Sequence, residues 1–207
     1  MNDDAFLTGH KIYLRTPTDE DVIRANWHRW YNDASVTRYN SHGIFPVTIE
    51  HELNHIHQQF QNADTLMMGV FDQETDKVLG NVSLYNIDLI HRRSSISLTI
   101  GETAGLSVGI EAFGLMIDHG FCRLNLNRIA DGTHEKLATF VKMLEIIGFQ
   151  VEGCGRQQFL RDGNYYDSIQ FGVIAEDFFK LREARAGSIL FDSEEKLNSA
   201  IVAASRS

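Results

Sequence analysis

Cysteine and proline are scarce in this chain of 207 residues, with two of each. Cys122 and Cys154 stand far apart without metal-ligand spacing. That excludes a disulfide-stapled scaffold or a zinc ribbon and reads as idle or packed thiols in a reducing compartment. Two prolines and no low-complexity stretch leave no linker along which to divide the chain. No run approaches the roughly 20 apolar residues of a membrane span. Residues 1–4 are polar or acidic after Met1, and no apolar segment follows, so no targeting segment is read. The expectation is a cytoplasmic protein in a bacterial cell, with no membrane partner. Basic residues are also in short supply: 19 Lys and Arg against 28 Asp and Glu give a net charge of −9. That excludes a broad nucleic-acid surface, which needs a basic face. It leaves a phosphorylated ligand open, because backbone N–H groups at a helix start hold phosphate without side-chain charge.

What is present suits a globular domain. Hydrophobic residues make up 43% and charged residues 23% of the chain, enough for a self-sufficient core. Strand and helix periodicities alternate, the pattern of a layered α/β domain. Residues 11–15 alternate Ile12 and Leu14 with polar neighbours. Thr18, with Asp21 three positions on, opens a helix carrying Val22, Ala25, Trp27, Trp30 and Tyr31, which Asn32-Asp33 ends. A second helix is predicted from Thr48 to about residue 61. Strands over 66–71 and 77–85 flank a hairpin turn, and residues 94–100 set Ile96, Leu98 and Ile100 on one face. A helix over 108–120, a short strand over 127–130 and a helix over 134–147 follow, the last stopped by Gly148. Extended runs come next at 149–151, 158–161 and 165–173, with Asp162-Gly163 turning between the last two. A helix over 176–185 precedes the tail. The expected division is a domain over 1–186 and a C-terminal polar tail or short helix over 187–207.

The segment richest in chemistry is residues 97–112, SLTIGETAGLSVGIEA. It reads as strand, glycine-bearing turn and helix. Small residues admit close backbone approach, and the unpaired N–H groups of the helix start, with the positive end of its dipole, make an anion seat. On spacing alone a plain tight turn fits equally.

Further pieces follow in a telling order: Asp118-His119-Gly120-Phe121, Asn127-Arg128-Ile129, Glu145-Ile146-Ile147-Gly148-Phe149, Glu152-Gly153 and Asp162-Gly163-Asn164-Tyr165-Tyr166-Asp167. Together with residues 97–112 they resemble the GNAT superfamily of acyltransferases. The nearest look is to the branch holding ribosomal-protein N-terminal acetyltransferases and amino-sugar acetyltransferases. At the front, Leu14-Arg15 and Trp30-Tyr31-Asn32-Asp33 resemble the sugar-modifying members. The resemblance implies a mixed, twisted sheet of about six or seven strands with helices on both faces. It implies acetyl-CoA as co-substrate, no metal, and direct attack by an amine. Leu98, Thr99 and Ile100 would lie on the strand beside the pantetheine arm. Gly105, Leu106, Ser107, Val108, Gly109 and Ile110 would cradle the pyrophosphate. The chain departs from the pattern at Glu102, where the family has Gln or Arg, at Ser107 for a glycine, and at Leu137 for an Asn. Leu144 replaces the tyrosine that often serves as acid, so no general acid is assigned.

Glu102, just past the strand, is a candidate proton acceptor, and His91 in the preceding turn is another. Solvated loop side chains would look the same. Trp30, Tyr31, Asn32, Arg38 and Tyr39 are candidates for the acceptor site, with aromatic faces for a ring and Arg38 for a diphosphate. Core packing and surface exposure are the alternatives. Lys136 and Lys142 could meet the 3′-phosphate of CoA or form a solvated face. His51-Glu52-Leu53-Asn54-His55 matches H-E-x-x-H, a zinc-hydrolase pattern, though on a largely polar helix. The favoured acceptor is an amino sugar, nucleotide-linked. Alternatives are a protein N-terminus, a polyamine or antibiotic, and a non-catalytic acyl-CoA-binding homologue; a homodimer is compatible with any of them.

Overall fold

The computed structural model describes residues 4–101 and 104–206. One sheet runs through the molecule in the order β1-β2-β3-β4-β5-β6-β8-β7. Strands β1 (Leu7–Thr8), β2 (Ile12–Arg15), β3 (Leu66–Asp72), β4 (Val78–Asp88) and β5 (Arg93–Ile100) are successively antiparallel. Strand β6 (Arg128–His134) joins β5 in parallel. The hairpin of β7 (Gln150–Arg161) and β8 (Asn164–Ile174) completes the sheet, with β8 against β6. The α/β class and mixed sheet are as expected. Strand β1 is the addition to the expected count; two residues are too few for alternation to reveal.

Alternation along the strands builds two cores. Leu14, Met68, Val70, Val82, Leu84 and Ile96 share one cluster with Ile110, Phe113 and Ile117 of α5 (Leu106–Cys122). Tyr13, Met67 and Phe71, one residue out of phase, pack with Val22, Trp27, Trp30 and Ile56 on the opposite face. That second face is covered by α1 (Asp19–Arg24), α2 (His28–Asn32), α3 (Ala34–Thr37) and α4 (Ile49–Gln61).

The single helix expected after Thr18 is three short ones. Thr18 and Asp21 do form the capping box, but Asn26 takes φ +50° and stops α1. Asp33 then starts α3 by accepting from the Ser35 amide. Similarly, the helix expected over 134–147 is α6 (Ala138–Leu144) between two 3₁₀ turns, Glu135–Leu137 and Glu145–Ile147. Gly148, at φ +97°, ends it as expected. Runs 149–151 and 158–161 merge into the single bulged strand β7.

Residues 187–207, expected as a polar tail or a short helix, hold a helix that packs into the core. After α7 (Ala175–Ala184), the chain forms α8 (Glu194–Arg206). Ile189, Leu190, Leu197 and Ile201 are buried in the same cluster as α5 and α6. A polar composition hid one apolar stripe. The Lys11–Glu194 ion pair of 2.8 Å ties α8 to the turn before β2. Glu111 of α5 holds that turn by accepting from the amides of His10 and Lys11.

Candidate active site

Strands β5 and β6 pair at two positions only, Arg93 with Arg128 and Ser94 with Ile129. Beyond them β5 stays paired to β4 as far as Ile100, and β6 stays paired to β8 as far as His134. The two strands therefore part, leaving a wedge-shaped gap that opens toward their C-terminal ends. Which groups line it follows from strand alternation. The Gly101 amide donates to the Leu79 carbonyl on the β4 side, whereas the Ile96 amide reaches the Asp131 carboxylate of β6. The backbone groups of Leu98 and Ile100 share the phase of Ile96 and face the gap. Those of Thr99 face β4, so of the three expected strand residues Thr99 does not present its backbone there.

Asp131 sits where the strands part. Its carboxylate accepts from the Tyr85 hydroxyl at 2.6 Å and from the Gly132 amide at 2.7 Å. Burial pushes its pKa up against the pull of these bonds. Burial, then the anionic neighbour, pushes Tyr85 up as well. Sequence reasoning missed this pair, because nothing local joins a tyrosine on β4 to an aspartate on β6.

At the wide end of the gap α5 begins. Gly105 is its N-cap and supplies no side-chain bond. The Val108 amide turns back to the Gly105 carbonyl, while the amides of Leu106 and Ser107 precede the helical ladder, beside the positive end of a 17-residue helix. Gly109 lies in the first turn, where an added Cβ would stand 3.1 Å from Leu98 Cδ2 and 3.4 Å from Phe140 Cε2. Helix start and strand edge are thus in near contact, and glycine is what allows it. An unpaired strand edge leading to unpaired amides suits an extended arm ending in a diphosphate, the shape and chemistry of CoA.

A cavity of about 750 Å³ lies at the same end. Residues from 32–43 form one wall; His134, Lys136, Arg161, Asp162 and Tyr166 form the other. Arg161 spans the two by donating to the carbonyls of Thr37 and Asn40 at 3.1 and 2.8 Å. Buried His134 packs its ring against Tyr39 and Tyr166, with centroids 5.1 and 4.7 Å away. Its Nδ1 accepts from the Lys136 amide at 3.1 Å, which leaves the hydrogen of the neutral ring on Nε2. Burial lowers its pKa and keeps it neutral. His134 was missed as a site residue because it read as the first residue of a helix.

The sequence candidates divide accordingly. Asn32, Arg38 and Tyr39 line the cavity. The Asn32 amide, however, is engaged with His28 and Val47 and braces the loop. Trp30 and Tyr31 are buried and belong to the second core. Trp30 packs on Gly101, and the Tyr31 hydroxyl accepts from Asn81 Nδ2 at 3.1 Å. They support the site from beneath instead of lining it. His91 is misplaced as a candidate base: it lies in the exposed turn before β5, at the closed end of the gap, a strand's length from the cavity. Glu102 lies outside the described residues. The H-E-x-x-H pattern does not converge. His51 and His55 line a surface groove, while Glu52 points inward and is 4% exposed. Among the described residues no group of three His, Cys, Asp or Glu side chains is placed to hold a metal, and none of their helices is long and apolar enough to cross a membrane.

Comparison with known proteins agrees with this architecture. Residues 11–150 match the acetyltransferase (GNAT) domain family. Spermidine N(1)-acetyltransferase of Escherichia coli is 30% identical over 179 residues, 83% of this chain and 90% of that protein. The uncharacterized N-acetyltransferase p20 of Bacillus licheniformis is 28% identical over 180 residues, 83% of this chain and 94% of that protein. The crystal structure of Vibrio cholerae spermidine N-acetyltransferase with CoA and spermine shares the fold, with a TM-score of 0.71 at 19% identity over 82% of this chain and 98% of that one. The chain belongs to the GNAT family of acetyl-CoA-dependent acetyltransferases, which transfer the acetyl group to an amine.

Proposed function

We propose that the protein acetylates the primary amine of an amino sugar, preferably a nucleotide-linked one, within a ternary complex. The observation that carries the donor half is the interrupted β5–β6 ladder ending beside the bare helix start of α5. In this reading the backbone of Leu98 and Ile100 pairs with the pantetheine arm. The amides of Leu106 and Ser107 hold the pyrophosphate, with Gly105, Val108, Gly109 and Ile110 shaping the turn around it. The acceptor occupies the cavity at the wide end of the gap. Its volume suits a sugar with a substituent, and Tyr39 and Tyr166 are among its lining residues.

The amine, once neutral, attacks the thioester carbonyl carbon. The carbon–sulfur bond breaks, CoA departs as thiolate, and the nitrogen loses its proton. Glu102, next in sequence after Gly101, is the proposed acceptor of that proton. The main gain is the holding of both reactants at one place. A polyamine acceptor is the second reading, favoured by the spermidine named for the E. coli relative.

The test has two stages. Acetyl-CoA is expected to raise the melting temperature of the purified chain. Thiol release is then followed over a panel of amino sugar, nucleotide-linked amino sugar, spermidine and peptide N-terminus. Turnover of amino sugars ahead of the others supports the reading. Stabilisation by acetyl-CoA without turnover of any amine would leave a binding protein instead.

A further inference from the structure

We propose that the acceptor cavity selects an amine that also carries an oxyanion, and that Arg38 and Lys136 bind that group while His134 donates to it from Nε2. The inference rests on the acyl-transfer reading and narrows its acceptor.

Charge is the main argument. The chain is acidic overall, at −9, yet this cavity is lined by Arg38, Lys136 and Arg161 against Asp162 alone. The local sign is opposite to that of the molecule, and a concave site concentrates the field it makes. Outside the cavity, Lys11, Arg15, Arg24, Arg93, Arg128, Arg182 and Lys196 each reach a carboxylate. Arg38 and Lys136 form no ion pair among the described residues, and both are exposed. The contact described for the Arg38 guanidinium is with the ring of Tyr39, 5.4 Å from its centroid.

The histidine points the same way. A base for the amine needs a bare ring nitrogen, and the bare nitrogen of His134 is already taken by the Lys136 amide. What remains is an N–H donor on a ring locked between two tyrosines. Two cations and a fixed neutral donor suit a phosphate or carboxylate. They oppose a polyamine, whose additional ammonium groups would meet charges of like sign.

The test compares matched acceptors by thiol release at low salt: glucosamine with glucosamine 6-phosphate, a uridine-diphosphate-linked amino sugar, an α-amino acid and spermidine. The phosphate and carboxylate arms identify which oxyanion is read. The expectation is about tenfold or greater preference in kcat/KM for an anionic acceptor over its neutral counterpart, weakened by added salt. Arg38→Ala and Lys136→Ala are each expected to raise the KM of the anionic acceptor about tenfold without raising that of acetyl-CoA. Equal use of neutral and anionic acceptors, or spermidine as the best substrate, overturns the inference. So does a rise in the KM of acetyl-CoA in these variants, which would assign the cations to the donor's phosphates. Calorimetry with uridine diphosphate keeps the two readings separable. If no amine turns over, binding of the diphosphate weakened by Arg38→Ala still supports the anion site, and no binding, or binding unaffected by Arg38→Ala, sinks it.

Discussion

Replacing Glu52 with glutamine should make the protein more stable at pH 8 and change how stability varies with pH. Glu52 sits on α4 inside the second core, near Tyr31, which its charge disfavours ionising. No hydrogen bond or ion pair compensates it among the described residues, and burial pushes its pKa from 4.5 to about 7. The native state therefore binds this proton more tightly than the unfolded chain. Stability from this group is fully present below about pH 4.5 and is lost as pH rises through about 7. At ~1.4 kcal/mol per pH unit, the charged form costs roughly 3 kcal/mol above that range. Glutamine cannot ionise, but its amide is still a buried polar group costing about 1–2 kcal/mol. The net gain expected at pH 8 is thus about 1–2 kcal/mol, and near pH 4 the variant should match or fall below the wild type. Neighbouring His42 and His55, both held neutral by burial, act in the opposite sense. The quantity to follow is therefore the difference between variant and wild type, in which their contributions cancel. Trp27 and Trp30 are buried in the same cluster, so urea unfolding read by tryptophan fluorescence reports on this core. A variant-minus-wild-type difference that stays flat from pH 5 to 8 refutes the reasoning.

Other outcomes follow from the same structure. Asp21→Asn removes the buried partner of Arg15, 2.6 Å away, and part of the Thr18 capping box; urea unfolding at pH 7 should show a loss of about 3 kcal/mol. Because its pairing and capping bonds depress Asp21 to about 2 against the cost of burial, that advantage should fade as pH falls from about 4 through 2. Gly109→Trp closes the contact between α5 and Leu98 and should weaken acetyl-CoA binding at least about tenfold by calorimetry; unchanged affinity in a folded variant would displace the donor site. Leu197→Ala, at a fully buried position of α8, should cost about 2–5 kcal/mol by urea unfolding, whereas a change under about 0.5 kcal/mol would mean that α8 does not belong to the core.

Long elements with a clear period were legible in the sequence: β3, β4, β5, α4 and α5 all lie close to where alternation and capping put them. What stayed hidden depends on distance in the chain. The α1–α3 breaks turn on Asn26 adopting a left-handed backbone, which asparagine tolerates but does not announce. The docking on α5 of the segment that leads into α8 needs Leu190 against Gly114, which are remote in sequence. The turn between β5 and α5 was legible because strand, glycines and helix are contiguous. The cavity could be only half placed: residues 32–39 are one segment, but the opposing wall comes from β6 and the β7–β8 hairpin. Only pairing brings His134 and Tyr166 opposite Tyr39.

The gap itself must be stabilised by something other than strand pairing. A sheet interior normally satisfies every amide, and an unpaired one out of water costs free energy. Here the cost is limited in two ways. Asp131 supplies the missing partner for the Ile96 amide at the narrow end and is itself held by Tyr85, so separation begins at a satisfied position. Farther out, Leu98 and Ile100 are only half-buried, which leaves their free edge open to water or to a ligand. Hydrogen-bonding capacity therefore increases along the gap, from a closed end beyond which His91 lies to an open end where β5, β6 and α5 meet. A ligand that replaces the missing strand regains those bonds, and one that also carries a diphosphate gains the bare amides of α5.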